Sequence, residues 1–488
     1  MTSDVNLRRG MFITFISKYS NIIVQLIINS ILARLLGPEE FGVVAVITVF
    51  TTFFTILGDM GIGPAIIQDK TLENKDISNI FKFSIIASVI IGILFYIFSY
   101  FISFFYSNKI YVTLGFMLAF SVMFNILKIV PNAVILKNKN FKLAGIINIS
   151  VNIIVGIITI ALAFYGLSYY ALVVDSVLKS CFIFIISLIF CGLKIEKGFE
   201  IDSIKKIKSY STYQFSFNFI NYFTRNLDNI LTGKFLGANS LAYYDKAYKL
   251  MLYPIQNLTH VITPVLHPVL SEYQNNREII YESYMKVVKI LAYIGIFISV
   301  FCFFSSKEII RIMYGSNWDI AIPIFKILSL SIVVQMILSS IGSIFQATGE
   351  VDKLFSTGVI SSIFTVSAIM FGIIKGDIVS LAIGVSISFL FNFIQCFYVL
   401  ITKVFNRNFV EFLIELKNIP IIGGIMILGY LLLNNFSISN ILLSVIIKLS
   451  VGIICYLIGL VITKEYLLVK NIIFKRKGID VRDIEKVS

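Results

Sequence analysis

The sequence predicts an all-α integral membrane protein. Hydrophobic residues make up 58% of its 488 positions and charged residues 14%, with a mean hydropathy of +0.91. The apolar residues fall in runs long enough to cross a bilayer, and lysine and arginine collect between alternate runs. Such a composition lies outside the range of water-soluble domains. A spanning helix takes about 20 mostly apolar residues, because lipid offers no partner to an unpaired backbone group and each segment must satisfy its own.

Taken in order, apolar runs bounded by Gly, Pro, Asn and charge place spans near 11–33, 42–67, 80–106, 112–135, 144–165, 169–191 and 210–233. Seven more follow near 249–271, 286–306, 320–346, 355–374, 378–402, 418–434 and 441–463. That makes fourteen, or twelve if the two polar segments 210–233 and 249–271 are rejected. The first run follows Arg8 and Arg9, holds Lys18 and Gln25, and ends without a small-residue cleavage site, so it reads as a retained span and not a signal peptide.

With both ends inside, 25 basic residues fall in cytoplasmic loops and tails and 8 in the opposite loops. This asymmetry predicts an even number of spans with both termini cytoplasmic. The formal charge of +14 is therefore topological, and no folded basic domain exists to bind nucleic acid. Cys181, Cys191, Cys302, Cys396 and Cys455 lie in or at the ends of apolar runs without metal-type spacing and read as core residues.

The loop 192–209 carries Lys194, Lys197, Lys205, Lys206 and Lys208 and reads as a basic cytoplasmic linker between two halves. The expected organisation is a first set of six spans over 1–191, a second over 210–402, two additional spans within 403–463 and a basic tail over 464–488. A shift of 200 residues lays Arg34-Leu35-Leu36-Gly37 over Lys234-Phe235-Leu236-Gly237, Asn21 over Asn221, Asn29 over Asn229 and Pro64 over Pro264.

Polar faces coincide under the same shift. In span 1, Lys18, Asn21, Gln25 and Asn29 recur at intervals of three and four, which gathers them on one side of a helix. In span 7, Gln214, Asn218, Asn221, Arg225, Asn229 and Thr232 do the same, with Asp228 beside them. Span 2 shows Thr48, Thr51, Thr55 and Asp59, and span 8 shows Lys249, Tyr253, Gln256, His260, Thr263 and His267. A charge at the bilayer centre costs about 2.5–3.5 kcal/mol on insertion scales, so these faces should turn toward protein or a water-filled cavity.

Two readings stand side by side. Either the polar residues join helices through interhelical hydrogen bonds, or four wet faces share one aqueous cavity. In the second reading Lys18 and Arg225 are placed to meet an anion, Arg225 suiting a phosphate through its planar fork of donors. Asp59 and Asp228 would then orient them or bind a cation, while Arg225 and Asp228, three apart, equally make a structural ion pair. Asp175 and Lys179, four apart, neutralise each other. Lys128 is expected to snorkel to the cytoplasmic surface and Lys326 to the opposite one. His260 and His267 share a face without making a metal site.

The segment Ala33-Arg34-Leu35-Leu36-Gly37-Pro38-Glu39-Glu40-Phe41-Gly42, followed by Leu57-Gly58-Asp59-Met60-Gly61 and Ala65-Ile66-Ile67-Gln68, resembles bacterial polysaccharide exporters of the Wzx/WzxC type. So do Arg225-Asn226-Leu227-Asp228-Asn229, Tyr243-Tyr244-Asp245-Lys246-Ala247-Tyr248, Tyr253-Pro254 and Thr263-Pro264-Val265. These exporters belong to the multidrug/oligosaccharidyl-lipid/polysaccharide exporter superfamily, and the likeness covers essentially the whole chain. It implies two six-helix bundles in pseudo-twofold relation, spans 1, 2, 7 and 8 around a central cavity, and spans 13 and 14 as an additional pair. His267 departs from the apolar or aromatic residue expected there.

The resemblance implies a flippase that carries a polyprenyl-diphosphate-linked oligosaccharide across the plasma membrane by alternating access. Its partners would be that anionic lipid-linked sugar, membrane lipids and the polysaccharide polymerase machinery, with no cofactor. The rivals are an organic-cation antiporter and a peptidoglycan precursor flippase of the same superfamily, and a membrane enzyme. The antiporter would bind its cargo with carboxylates, the Leu-Gly-Pro-Glu-Glu-Phe-Gly block argues against the precursor flippase, and no nucleophile, base and oxyanion grouping supports an enzyme.

Overall fold

The computed structural model describes residues 2–200, 202–203, 215, 222, 226–274, 276–433 and 440–467, with side chains from Ile16 onward except at 260–265 and 267–269. Among the described residues there is no strand. The helices of the first half are α1 (Thr2–Leu35), α2 (Pro38–Asp59), α3 (Ile62–Gln68), α4 (Asn74–Tyr106), α5 (Ile110–Leu127), α6 (Ile129–Lys137), α7 (Phe141–Phe164) and α8 (Tyr169–Phe190). After α9 (226–235) come α10 (Ala238–Ser271), α11 (Arg277–Phe304), α12 (Ser306–Tyr314), α13 (Ala321–Ser329), α14 (Ile332–Leu338) and α15 (Ile341–Ala347). The chain continues through α16 (Val351–Lys375), α17 (Ile378–Val399), α18 (Phe409–Glu415), α19 (Asn418–Leu433) and α20 (Ile441–Ile462).

Polar side chains start the helices, because the first amide groups of a helix lack internal partners. Glu40 accepts the Gly37 N–H at 2.9 Å ahead of α2, and Asp76 accepts the Glu73 N–H at 3.2 Å ahead of α4. Asn140, Asn276, Asp377 and Asn440 cap α7, α11, α17 and α20 in the same manner. Between the caps the side chains are apolar. On α4, Ile86, Ile90, Ile93, Ile97, Phe101 and Phe104 stand outward at intervals of three and four, each more than half exposed, a stripe that only lipid can cover.

Ten helices among the described residues are long and apolar enough to cross a membrane, and twelve if each of two bent helix pairs is one span. The two expected spans outside that set are the polar ones. Helix α10 has the length but not the hydropathy, and most of 210–233 lies outside the described residues.

Several spans drawn as single helices are broken. The span near 42–67 divides into α2 and α3 at Met60 and Gly61, both left-handed at φ 46° and 71°; the glycine supplies its turn without strain. The span near 320–346 bends by 49° between α13 and α14–α15; the one near 418–434 is the single helix α19, preceded by the short α18 at a 41° bend. The span near 112–135 divides at Lys128. There the Lys128 amine donates to Asn125 Oδ1 at 2.5 Å, and Asn125 Nδ2 donates to the Ser121 carbonyl at 2.8 Å. Lys128 is therefore hydrogen-bonded at a helix break, not reaching alone for the surface. Lys326 is exposed and lies over the Phe303 ring, 4.7 Å from its centroid.

The repeat is written in the turns. Helices α1 and α9 end at Leu35 and Phe235, and α2 and α10 begin at Pro38 and Ala238, an offset of 200. Further along the offset is 210. Left-handed Lys139 (φ 56°) precedes α7 as Gly349 (φ 76°) precedes α16, and Gly166 and Gly376 (φ 81° and 68°) follow those same helices. The amides of Asn140 and Glu350 reach back to Ile135 O and Phe345 O at 3.1 and 2.8 Å. The offset changes across α12, which has no counterpart between α4 and α5.

The chain forms two compact units, Met1–Ala242 and Tyr243–Ser488. In the first, α4 packs on α5, α5 on α8, α7 on α8 and α1 on α7. In the second, α11 packs on α13 and α14, these on α17, and α16 on α17, the same neighbours in repeat order. The first core centres on Ile47, Phe95, Leu114, Val122 and Ile126, with a second cluster around Ile66, Ile80, Val130 and Val151. The other unit buries Tyr284, Leu291, Phe325, Leu328, Met336 and Phe397 completely.

Candidate functional site

On α1 the polar row survives folding with one member committed. Asn21 Oδ1 accepts from Asn152 Nδ2 of α7 at 2.6 Å, an interhelical hydrogen bond of the kind that joins membrane helices. Lys18 is exposed, Gln25 and Asn29 are half-buried, and among the described residues none of the three has a hydrogen-bonding or ionic side-chain partner. One face of α1 thus carries an ammonium and two amides ready for another molecule.

Helix α2 behaves differently. Its threonine hydroxyls turn back on their own helix: Thr48 to Val44 O at 2.6 Å, Thr51 to Ile47 O, Thr52 to Thr48 O and Thr55 to Thr51 O, each at 2.9 Å. Thr51 is buried, so the accessible row is Thr48, Thr52, Thr55 and Asp59. That corrects the expected face by one residue. Asp59 is half-buried at the end of α2, and its carboxylate accepts the Gly63 N–H across the Met60–Gly61 break.

In span 7, Gln214, Asn218, Asn221 and Arg225 lie outside the described residues. Asp228 is buried and accepts the Asn229 N–H at 2.8 Å. Asn229 Oδ1 and Thr232 Oγ1 are buried with no hydrogen-bond partner among the described residues. Helix α9 is held in the first unit through Tyr106, whose hydroxyl donates to Ile230 O at 3.0 Å, and through the Lys234 amine, which donates to Phe105 O.

On α10, Lys249 is 2.6 Å from Asp245 one turn before it. The lysine of this face is thus paired within its own helix. Tyr253 is half-buried and Gln256 is exposed with no side-chain partner among the described residues. The side chains of His260, Thr263 and His267 lie outside the described residues. Asp175 and Lys179 form the expected ion pair at 2.7 Å, and Thr159 donates to the same carboxylate at 2.9 Å. All five cysteines are free thiols.

Asn152 is a residue that the sequence reading passed over. Asn148 and Asn152 stand four apart in an otherwise apolar span, the same signal that picked out α1. Thr52 was equally visible but one position out of register.

A family model described as "polysaccharide biosynthesis protein" matches residues 31–323. The teichuronic acid biosynthesis protein TuaB of Bacillus subtilis is 25% identical over 70% of this chain and 71% of its own. The lipopolysaccharide biosynthesis protein WzxC of Escherichia coli is 22% identical over 82% of this chain and 83% of its own. Among solved structures, a lipid II flippase MurJ in an inward closed conformation superposes with a TM-score of 0.72, at 18% identity, over 94% of this chain and all of that one. At that identity the match establishes the fold.

Proposed function

The chain belongs to the polysaccharide biosynthesis protein family, and from that premise we propose that it moves a polyprenyl-diphosphate-linked oligosaccharide from the inner to the outer leaflet of a bacterial plasma membrane by alternating access. It is a carrier, not an enzyme, with both termini in the cytoplasm. The lipid-linked sugar it delivers is then consumed by the polymerase machinery on the far side.

The observation that carries this reading is the α1 face. An ammonium and two amides inside a membrane helix are costly unless they meet water or a polar cargo, and Lys18, Gln25 and Asn29 have no partner among the described residues. Their chemistry suits the cargo. The amides offer donors and acceptors to sugar hydroxyls, and the ammonium attracts a diphosphate without the bidentate grip that would hinder release. Asn218, Asn221, Arg225, Gln256 and His260 are the proposed contributors from the second half, with Asn21 and Asp59 supporting the first and Asp228 the second.

A carrier of organic cations needs accessible carboxylates. Here the α1 face presents the ammonium of Lys18 and Asp228 is buried, which disfavours that rival. The polyprenyl tail stays in lipid throughout, so only the headgroup needs a polar path.

Deleting the gene and analysing the membrane lipids by mass spectrometry tests the proposal. A lipid-linked oligosaccharide should accumulate on the inner leaflet, and its mass identifies the polymer. If none accumulates while surface polysaccharide is unchanged, the proposal fails.

A further inference from the structure

Helix α4 is longer than the hydrocarbon layer is thick. Its lipid-facing stripe runs from Ile86 to Phe104, and at about 1.5 Å per residue that stretch rises about 27 Å, close to the hydrocarbon thickness of about 30 Å. On the same rise Lys82 stands about 6 Å and Ser78 about 12 Å before the stripe. Headgroups add about 5–8 Å to each side, so Lys82 lies among them and Ser78 at their water edge. The segment after α8 is fastened at this level. Residues 192–200 form a strap without helix or strand, with left-handed turns at Gly192 and Gly198, φ 72° and 89°. Ser78 Oγ accepts the Glu196 N–H at 2.9 Å, and the Lys82 amine donates to Glu196 O and Gly198 O. Farther along, Ser203 Oγ donates to Asp76 Oδ1 at 2.8 Å and accepts from Asn79 Nδ2 at 3.2 Å, and all three of these side chains are buried.

What the strap presents outward is basic and apolar together. Lys194 and Lys197 are exposed, and beside them Ile195 and Phe199 are 59% and 45% exposed. Leu193 packs inward instead, against the cluster that holds Leu72, Ile77, Ile135 and Cys191, and Leu143 near the start of α7 joins the same cluster. That shared core brings Lys70, Lys139 and Lys142 to the same end of the first unit, with Phe141 exposed among them. These five lysines are exposed and have no hydrogen-bonding or ionic side-chain partner among the described residues. The carboxylates nearby are largely committed. Asp76 holds Ser203, Asp69 accepts the Thr71 N–H at 2.8 Å and its hydroxyl at 2.7 Å, and Glu200 pairs with Lys75 at 2.5 Å. Against the five lysines stand the exposed Glu73, Glu196 and Asp202, so this end of the unit is positive.

We infer that the strap 192–200 and the turn 138–142 form a seat for anionic phospholipid of the inner leaflet, their ammonium groups meeting headgroup phosphates while Ile195, Phe199 and Phe141 enter the acyl boundary. The inference rests on the proposed orientation, with both termini in the cytoplasm. Depth and chemistry select the occupant. Lysines at headgroup level attract a surface of net negative charge, which a zwitterionic headgroup does not offer, and apolar side chains beside them add area that lipid covers and water does not. Because the strap is tied to α4 by buried side chains, the seat is ready before the lipid arrives and costs little ordering on binding.

The test titrates the full-length protein in detergent with dioleoylphosphatidylglycerol or dioleoylphosphatidylcholine and follows bound lipid by native mass spectrometry. The wild-type chain should bind phosphatidylglycerol more tightly. Lys194→Gln/Lys197→Gln should weaken it about 25-fold, at about fivefold, or about 1 kcal/mol, per lysine, and Lys194→Arg/Lys197→Arg should bind as the wild type does. Lys403→Gln/Lys417→Gln, which alters exposed lysines of the second unit, should leave the affinity unchanged. Phe199→Ser should weaken both lipids alike. Equal affinity of the wild type for the two lipids overturns the seat and leaves the patch to an acidic protein. Wild-type affinity in the glutamine pair, an arginine pair as weak as the glutamine pair, or an equal loss in the second-unit pair also overturns it, the last because binding would then follow net charge alone. Full binding of both lipids by Phe199→Ser overturns its apolar part. Lys194→Cys, in a chain whose five native cysteines are replaced by alanine, tests the orientation separately. It should resist a membrane-impermeant maleimide in intact cells and react after permeabilisation. Reaction in intact cells overturns the orientation and with it the inner leaflet, while the titration still decides the seat.

Discussion

Lys18 carries its charge on a face of α1 where nothing described in the protein answers it, which makes it the residue whose loss should cost function without costing stability. A hydrogen bond to a charged group contributes about 1.5–3 kcal/mol. Lys18→Ala is therefore expected to lower translocation by about tenfold to a hundredfold on that scale, with membrane levels unchanged on immunoblots. Arg225→Ala should act alike, and normal export by both variants would dismiss the cavity assignment. Asp377 illustrates the opposite kind of residue. The Ser380 amide above all, then the Val379 amide and the Ser380 hydroxyl, hold its carboxyl below the usual carboxylate range. Because its folded value is depressed, its contribution is complete above the unfolded value of about 3.9 and vanishes as pH falls through the folded one. Asp377→Ala should cost about 1 kcal/mol as a lost helix cap, a deficit visible in thermal unfolding in detergent at neutral pH and shrinking as the pH is lowered through the carboxylate range.

At the scale of elements, helix α20 is joined to the rest of the second unit by a pair in which both partners need each other. Lys448 of α20 lies 2.6 Å from Glu308 of α12 and also donates to Phe304 O at 2.8 Å, while Ser444 donates to Glu308 Oε1 at 2.8 Å. Glu308 Oε2 is buried with no partner among the described residues. The sequence Ser305-Ser306-Lys307-Glu308 has the spacing of a capping box, yet Ser305 makes no cap bond and Glu308 turns to Lys448 instead. Removing one partner of a buried pair costs about 3–5 kcal/mol, whereas replacing both with apolar residues is often neutral. Lys448→Ala should accordingly lower the unfolding temperature sharply, and Glu308→Leu/Lys448→Met should restore most of it. Equal losses in the single and double variants would contradict this account.

Across the whole molecule the relevant quantity is charge moved through the membrane field. About two negative charges carried outward, down an inside-negative potential of 100 mV, gain up to roughly 4.6 kcal/mol, at 2.3 per charge. Translocation in vesicles should rise when a potential of that sign is imposed with potassium and valinomycin, and fall when it is collapsed. Indifference to the potential would show that the diphosphate is neutralised by co-transported charge.

Period and composition determined the helices, the lipid-facing stripes and the repeat, since these depend on neighbours in sequence: the apolar run sets the span, Gly37 and Asp377 set where helices begin, and Gly166 and Gly376 set where two end. Spacing also placed Lys18, Asn21, Gln25 and Asn29 on one face of α1. Only the tertiary structure decided which members of that face were spent, because Asn152 is 131 residues away and takes up Asn21 while leaving Gln25 and Asn29 free. The same holds for the threonine face of α2, for the lysine of α10 that pairs with Asp245, and for the linker. Its lysines announced a cytoplasmic loop, but its fastening to Asp76 depends on a buried carboxylate more than 120 residues distant, a contact that no local pattern encodes.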